Sequence, residues 1–233
     1  MITIDQVVKR RRSRTILDHV GFEARPGRVT AFLGPNGAGK SSTLRILLGI
    51  DHADSGSALF NGHPYRTLSD PLNTVGSMLE GSGAHRSRTA RNHLAWIARS
   101  NGIPLRRIDE VLDEVGLAGD AKVRVAKYSL GMGQRLGIAA ALLGEPEMLV
   151  LDEPVNGLDP EGIRWIRGLL RGRAEAGGTV LLSSHLMTEV ADVADDLVVI
   201  AGGRIVTTGT VTDVTAGYAD LEEAFFALTG ATR

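Results

Sequence analysis

The sequence contains no cysteine, few aromatic residues and no long apolar segment. Without cysteine, the chain can form neither disulfide bonds nor thiolate metal sites. No apolar run approaches the roughly 18 residues of a membrane-spanning helix, and the first residues lack the charged-then-apolar order of a secretory signal. We therefore expect a cytoplasmic protein. The net charge of −1 creates no broad field that would attract nucleic acid, so we expect no nucleic-acid partner.

One short segment departs from this even distribution of charge. Lys9–Arg12 is a basic run, and Arg14 lies just beyond it. Such a cluster can contact nucleic acid or anionic lipid head groups, but a solvated turn is the simpler interpretation. We predict a turn here. The 233 residues are enough to bury a sizeable core in one or two domains.

The most informative stretch matches the pattern G-x-x-x-x-G-K-[ST], which cradles phosphate in nucleotide-binding proteins. It follows an apolar segment, Val29–Leu33, that predicts a strand, and it precedes a segment whose apolar periodicity predicts a helix. This strand–loop–helix order is the context that the pattern requires. A glycine-rich turn that fits by coincidence is the alternative. The residues of this predicted site are Gly34, Pro35, Asn36, Gly37, Ala38, Gly39, Lys40, Ser41 and Ser42.

The residue types in this stretch suit a triphosphate. Gly34, Gly37 and Gly39 can adopt dihedrals that are closed to residues with a β-carbon, so successive N–H groups can turn toward phosphate oxygens. The N-terminus of the following helix adds partial positive charge. We predict that Lys40 reaches the β- and γ-phosphates and that the Ser41 hydroxyl ligates Mg²⁺.

A second strong signal is the apolar run Met148–Leu151, which Asp152 and Glu153 follow directly. Consecutive apolar residues predict a parallel strand buried on both faces, and ligands bind at the carboxyl ends of such strands. We predict that Asp152 holds Mg²⁺ and that Glu153 orients and deprotonates a water for attack on the γ-phosphate. An Asp-Glu pair in this position is otherwise an ordinary solvated loop start.

Three further positions carry weaker signals. Ser129 precedes a long apolar helix and is a candidate N-cap. Asp159 and Pro160 predict another helix start, with Asp159 as the cap and Pro160 in the first turn. His185 follows a predicted buried strand, Thr179–Ser184, and would face the γ-phosphate. A histidine at a strand end is otherwise a structural hydrogen-bonding group.

These segments together predict an α/β protein: a P-loop NTPase core with a mostly parallel sheet, an antiparallel β flank and an inserted helical subdomain. The flank comes from strand-like segments on either side of the basic turn. A short strand ending at Phe60 meets Asn61-Gly62, a strong hairpin signal. We predict one domain over residues 1–233, in which 1–75 and 137–233 form the α/β core and 76–136 form the helical insertion.

Taken in this order, the segments resemble the ATP-binding subunit of an ABC transporter. The resemblance covers nearly the whole chain. It depends on the combination of the phosphate loop, the signature segment Ser129–Gln134, the Asp152-Glu153 pair, Asp159 and His185. Two further segments, Tyr128–Met132 and Leu221–Phe226, are similar to the branch that serves bacterial drug and antibiotic exporters, including bacitracin and daunorubicin resistance systems.

The resemblance implies ATP and Mg²⁺ as ligands and a homodimer in the ATP-bound state. Each ATP would lie between the phosphate loop of one copy and the signature segment of the other. The Ser129 hydroxyl and the Gly131 N–H would meet the γ-phosphate, Asp159 would lie in the D-loop, and His185 would be the switch histidine. An integral-membrane permease is the implied partner, and it would hold the chain peripherally on the inner face of the cell membrane.

Four departures from the family pattern carry information. Arg11 stands where an aromatic residue often stacks on adenine, and a guanidinium plane can also stack on a ring. Glu80 replaces the usual glutamine; a carboxylate can still ligate Mg²⁺ but adds negative charge beside the triphosphate. The exporter branch tolerates Leu130 and Met132 in the signature. Ser42 replaces the usual threonine, which is a minor change.

The leading hypothesis is an ATPase that powers a permease, exporting a drug, antibiotic or similar small hydrophobic compound. The alternative is a nucleotide-dependent module of the same kind that serves assembly, repair or regulation without transport. A translation factor of the same superfamily is disfavoured, because those chains usually carry two cassettes and this one has a single phosphate loop.

Overall fold

Strands and helices alternate through most of the chain. The computed structural model describes residues 1–79 and 81–230, apart from the side chains of residues 188 and 189. The strands are β1 (Ile2–Arg11), β2 (Arg14–Ala24), β3 (Arg28–Leu33), β4 (Ser55–Phe60), β5 (Val75–Met78), β6 (Met148–Asp152), β7 (Thr179–Ser184), β8 (Asp196–Ala201) and β9 (Arg204–Thr210). The helices are α1 (Lys40–Leu47), α2 (Pro71–Thr74), α3 (Ala90–Ser100), α4 (Arg106–Glu114), α5 (Leu130–Leu142), α6 (Pro160–Glu175), α7 (Met187–Ala191), α8 (Val211–Thr215) and α9 (Leu221–Thr229). The predicted α/β class is confirmed.

The chain divides into two compact units. One comprises residues 1–68 together with the chain from Arg167 onward, and the other comprises residues 69–166. The first unit contains the phosphate loop, and the second contains strands β5 and β6 with helices α2 to α5. The predicted helical insertion, residues 76–136, lies within the second unit. Within the described ranges, we find no helix that has both the length and the apolar character to cross a membrane.

Parallel strands form the centre of the first unit. Strand β3 pairs in parallel with β7 on one side and with β8 on the other, and β9 returns antiparallel to β8. Every residue of β3 after Arg28 is buried, as are all residues of β7. Strands with both faces covered require such apolar runs. The register pairs Leu33 with Ser184, so β3 and β7 end side by side.

An antiparallel sheet in the order β2-β1-β4 forms the predicted flank of the first unit. The predicted extent of the basic turn is wrong. Strand β1 continues to Arg11, which pairs with Arg14 of β2, and the turn begins only at Arg12. The ammonium group of Lys9 donates to Asp51 Oδ1 at 2.7 Å, so part of the basic run is paired where we expected it to be solvated.

The Asn61-Gly62 turn forms, but the hairpin does not extend. Asn61 and Gly62 have φ angles of 49° and 82°, which suit the tight turns that join antiparallel strands. Phe60 and His63 exchange backbone hydrogen bonds of 2.8 and 2.9 Å. Strand β4 instead pairs with β1. The local turn signal was therefore correct, whereas the strand partner is set by distant residues.

The second unit is built on a parallel pair, in which Val75 of β5 lies opposite Met148 of β6. All residues of β6 are buried, including Asp152. Helix α5 lies very close to β5. A β-carbon built at Gly76 would lie 2.0 Å from the carbonyl oxygen of Ala141, so this approach requires glycine.

His93 on helix α3 is 4% exposed. Burial lowers its pKa from the usual value, and the positive charge of Arg88 lowers the pKa further. The backbone of Ser82 acts in the opposite direction, but no hydrogen bond of ordinary geometry reaches either ring nitrogen from the described residues. Because the folded state disfavours the protonated ring, the unfolded state binds a proton first as the pH falls.

We expect the stabilisation from neutral His93 to be complete above about pH 6.5 and to be lost as the pH falls through the lowered pKa. The stability of a His93→Leu variant relative to the wild type should increase from pH 8 to pH 5. The difference can grow by at most about 1.4 kcal/mol per pH unit. Urea unfolding of both proteins at these two pH values measures it. An equal stability difference at both values would contradict the buried, neutral ring.

Candidate functional site

The phosphate loop joins the end of β3 to the start of α1. The Lys40 side chain folds back over the loop, is 6% exposed and donates from Nζ to the Gly34 carbonyl oxygen at 2.6 Å. Gly39 precedes the helix with φ 115° and caps it without a side chain. The loop therefore combines a charged group with a helix N-terminus whose first N–H groups suit an anion.

Strand β2 and the β8–β9 turn lie against the back of this loop. A β-carbon at Gly39 would lie 2.5 Å from Leu17 Cδ2. Gly203 donates its N–H to the Ala38 carbonyl at 3.1 Å, and its own carbonyl accepts from Asp18 at 2.8 Å. No role for Gly202 and Gly203 was predicted from the sequence. Their signal, two adjacent glycines, was visible, but the partner was not.

His185 lies beside the start of the phosphate loop. It follows β7 directly, and Gly34 follows the neighbouring strand β3, so the carboxyl ends of these strands lead to the same edge of the sheet. The His185 side chain is exposed. His185 and the phosphate loop therefore lie at the same edge of the sheet in the first unit. The contact of His185 with the γ-phosphate stays a prediction.

Asp152 and Glu153 lie in the second unit at the end of β6. Asp152 is 7% exposed, and Glu153 has φ 51°, a left-handed value that is uncommon outside glycine. The Glu153 carbonyl accepts a hydrogen bond from Gln134 Nε2 at 2.9 Å. The sequence placed Gln134 in the signature segment, but a glutamine on an apolar helix gives no local sign of its hydrogen-bond partner.

The signature segment and the turn after β6 lie against each other in the second unit. Ser129 caps α5, since its Oγ accepts from the Met132 N–H at 3.2 Å, which confirms the predicted N-cap. A β-carbon at Gly131 would lie 3.0 Å from the Gly157 carbonyl oxygen. Leu130 is 71% exposed, so the segment presents both small and apolar groups at the surface of the unit.

The predicted cap of α6 is also confirmed. Asp159 Oδ1 accepts from the Gly162 N–H at 2.7 Å, and Pro160 is the first residue of the helix. By contrast, helix α8 was not predicted from the sequence. Thr210 and Asp213 form a capping box there, and their spacing of three residues was the signal that could have revealed it.

The residue predicted to stack on adenine lies on strand β1. Arg11 is exposed at the end of β1, opposite Arg14. The predicted Mg²⁺ ligand Glu80 lies outside the described residues. In the described ranges there is no group of three or more histidine, aspartate or glutamate side chains that could enclose a metal ion by itself.

The fold and the phosphate loop define a P-loop nucleotide-binding protein. The family model for ABC transporters matches residues 17–156. The chain is 40% identical over 208 residues to a bacitracin transport ATP-binding protein, BcrA, of Bacillus licheniformis, an alignment that covers 88% of this chain and 68% of that protein. It is 37% identical over 206 residues to a lantibiotic transport ATP-binding protein, SrtF, of Streptococcus pyogenes, covering 88% of this chain and 89% of that protein.

Solved structures show the same fold. The structure of an ATP-binding subunit of an ABC transporter superposes with a TM-score of 0.88 at 26% identity, covering 98% of this chain and 99% of that one. A dimeric structure of MJ0796, a bacterial ABC transporter cassette, gives a TM-score of 0.81 at 21% identity, covering 90% and 98%. The chain belongs to the ABC transporter family, as an ATP-binding subunit with ATPase activity. The resemblance found in the sequence is confirmed.

Proposed function

We propose that this ATPase powers a separate membrane permease that exports a drug, an antibiotic or a similar small hydrophobic compound. The observation that carries the proposal is the 40% identity to the bacitracin transport protein over 88% of the chain. The relationship to the lantibiotic transport protein supports the same class of compound. In this proposal the permease supplies the path through the bilayer, and this chain supplies the ATPase.

The nucleotide chemistry is assigned residue by residue. Lys40 would hold the β- and γ-phosphates, and Glu153 would take a proton from the attacking water. His185 would contact the γ-phosphate from the edge of the sheet in the first unit. Hydrolysis then yields ADP and phosphate. Arg11 would offer its guanidinium plane to the adenine ring, since it is exposed at the end of β1.

The donors available for Mg²⁺ fit that ion. Ser41 and Asp152 would supply a hydroxyl and a carboxylate oxygen, which are hard ligands, and Glu80 is a further candidate outside the described residues. Mg²⁺ is usually bound by one or two carboxylates together with substrate phosphates. When bound, the ion would neutralise charge on the phosphates.

We further propose that the active state is a homodimer. Ser129 and Gly131 of one copy would meet the γ-phosphate held by the phosphate loop of the other, with Asp159 close to the contact. Three features of the second unit support this: Ser129 and Asp159 are both exposed, Gly131 permits close approach of backbone, and Leu130 offers an apolar surface that is 71% exposed. Loss of the γ-phosphate would release the two copies.

The permease would dock on the helical part of the second unit. Trp96 on α3 is 55% exposed, and the Arg88 guanidinium lies 4.9 Å from the centre of its ring. An exposed tryptophan beside an arginine is typical of the residues that dominate protein interfaces. This contact would place the chain on the inner face of the cell membrane.

The test is reconstitution of the chain, in proteoliposomes with ATP and Mg²⁺, with a candidate permease taken from an open reading frame next to its own. We expect the permease to stimulate ATP hydrolysis and bacitracin to be moved across the bilayer in the wild type but not in a Lys40→Met control. Retention of the chain by DNA or by an assembly complex of non-membrane proteins, with no stimulation by the permease, would support the alternative module and contradict this proposal.

A further inference from the structure

Glu153 holds a backbone conformation that its own sequence disfavours. Its φ of 51° lies in the left-handed region, which non-glycine residues rarely adopt. Pro154 follows, and the residue before a proline normally prefers an extended conformation. Residues in such conformations persist where the surrounding structure over-determines them, and they cluster at active sites. Contacts from elsewhere in the second unit reach this peptide.

Gln134 supplies such a contact from the first turns of α5. Its side-chain amide is buried, with 6% exposure of the residue, and its Nε2 donates to the Glu153 carbonyl at 2.9 Å. The Asn156 N–H donates to the same oxygen at 3.2 Å. The peptide plane that follows Glu153 is thus fixed from two directions, one of them a side chain 19 residues earlier in the chain.

The same local sequence occurs at the other end of β6, where it serves as an internal comparison. Glu145 precedes Pro146 and has φ 50°, but its side chain is 70% exposed and lies 3.8 Å from Arg107. The left-handed Glu-Pro step is therefore not unique to Glu153. The side-chain amide bonded to the carbonyl distinguishes the step at the end of the strand.

We propose that Gln134 is a positioning residue for Glu153: its amide holds the Glu153 carbonyl so that the carboxylate stays directed at the attacking water. The inference rests on the proposed role of Glu153 as the general base. Because Gln134 and the cap Ser129 share the start of α5, a rigid displacement of that helix end would also displace the Glu153 peptide. The orientation of the base is thus linked to the position of the signature segment.

The first test is Gln134→Met in the 233-residue chain, which keeps the side-chain length but removes the donor. We expect kcat for ATP hydrolysis to fall about tenfold to a hundredfold, because small misplacements of a catalytic group have effects of that size. The dissociation constant for ATP should change by less than about twofold, since the phosphate loop is in the first unit.

Arg135→Met is the matched control on the same helix. The Arg135 guanidinium donates to the Val115 carbonyl at 2.9 Å and lies 4.4 Å from the centre of the Trp165 ring. Its loss removes a buried contact of α5 without touching Glu153. We expect a lower melting temperature with kcat within about twofold of the wild type. An equal loss of kcat in both variants would mean that any weakening of α5 suffices, and the inference would be wrong.

Gln134→Glu adds a second measurement, the pH dependence of kcat, which a purely structural role of Gln134 would not change. A protonated carboxyl can donate to the Glu153 carbonyl, whereas an ionised carboxylate cannot. Burial raises the pKa of a carboxyl group, so the ratio of variant to wild-type kcat should rise as the pH falls. A ratio that does not depend on pH would overturn the proposal. Gln134→Asn, whose amide is one methylene shorter, replaces the Met variant if that variant does not fold.

Hydrogen exchange gives a measurement that does not depend on turnover. Amide protons of residues 155–158 should exchange faster in Gln134→Met, whereas those of β6 should not change. Unchanged exchange at residues 155–158 would contradict the positioning role even if the chain alone hydrolyses no ATP. Retained turnover in Glu153→Gln would refute the assignment of the base. An inactive Glu153→Gln together with a fully active Gln134→Met would refute only this inference.

Discussion

Replacing Glu153 by Gln should lower ATP turnover by about two to four orders of magnitude, because a positioned general base contributes an effect of that size. The amide matches the carboxylate in shape but cannot accept the proton of the attacking water. ATP binding should be retained, since Lys40 and the phosphate loop are unchanged. Steady-state hydrolysis and equilibrium ATP binding of the purified variant measure the two effects separately.

Glu145→Gln is the natural control for this experiment. Glu145 also has a positive φ and precedes a proline, but it lies in the loop before β6. We expect the control to hydrolyse ATP at the wild-type rate. With ATP present, the Glu153→Gln variant should elute as a dimer in size-exclusion chromatography, whereas the control should not accumulate one. Wild-type turnover in Glu153→Gln would show that another group activates the water.

Gly76→Ala should destabilise the protein strongly. The added β-carbon would lie 2.0 Å from the carbonyl oxygen of Ala141 and 2.9 Å from its carbonyl carbon, so the backbone of α5 must move away from β5. Overpacking of this kind costs about 3 kcal/mol. The melting temperature should fall by about 6–12 °C for a chain of this size. Calorimetry of the variant beside the wild type measures the shift.

Gly168→Ala tests whether the effect depends on crowding. Gly168 lies inside α6, and a β-carbon there would meet nothing within 4 Å. Alanine in an open helical position should raise stability by about 0.5–1 kcal/mol. The two Gly→Ala changes should therefore shift the melting temperature in opposite directions. A small effect of Gly76→Ala would contradict the close approach of α5 to β5.

Much of the fold was predictable because its signals are local. The apolar runs at β3, β6 and β7 predicted strands, and the caps at Ser129 and Asp159 predicted where α5 and α6 begin. Helix α8 was predictable in the same way, since its capping box, Thr210 and Asp213, lies within four consecutive residues. The basic run shows that charge composition alone does not locate a turn. Charge predicted a solvated turn, but the pairing of Lys9 with Asp51 lets β1 continue.

The candidate site also has features that the sequence predicted and features that only the structure revealed. The phosphate loop could be recognised in the sequence, because its residues are consecutive and their types and spacing carry the pattern. Its support by residues 17, 18 and 203 could not, since these lie far apart in the chain and meet only through strand pairing. The hydrogen bond from Gln134 to Glu153 likewise joins residues that share no sequence pattern.

The sequence by itself predicted the phosphate loop, most of the strands and helices in their order, and the family. These depend on residue types at short spacings, where backbone freedom, capping and apolar periodicity act locally. Only the tertiary structure decided which strand β4 joins, where the basic segment turns and what holds Glu153 in its left-handed conformation. Each of those outcomes depends on which distant segments pair with each other. Local propensity cannot predict such pairs, because the chain brings them together only when it folds.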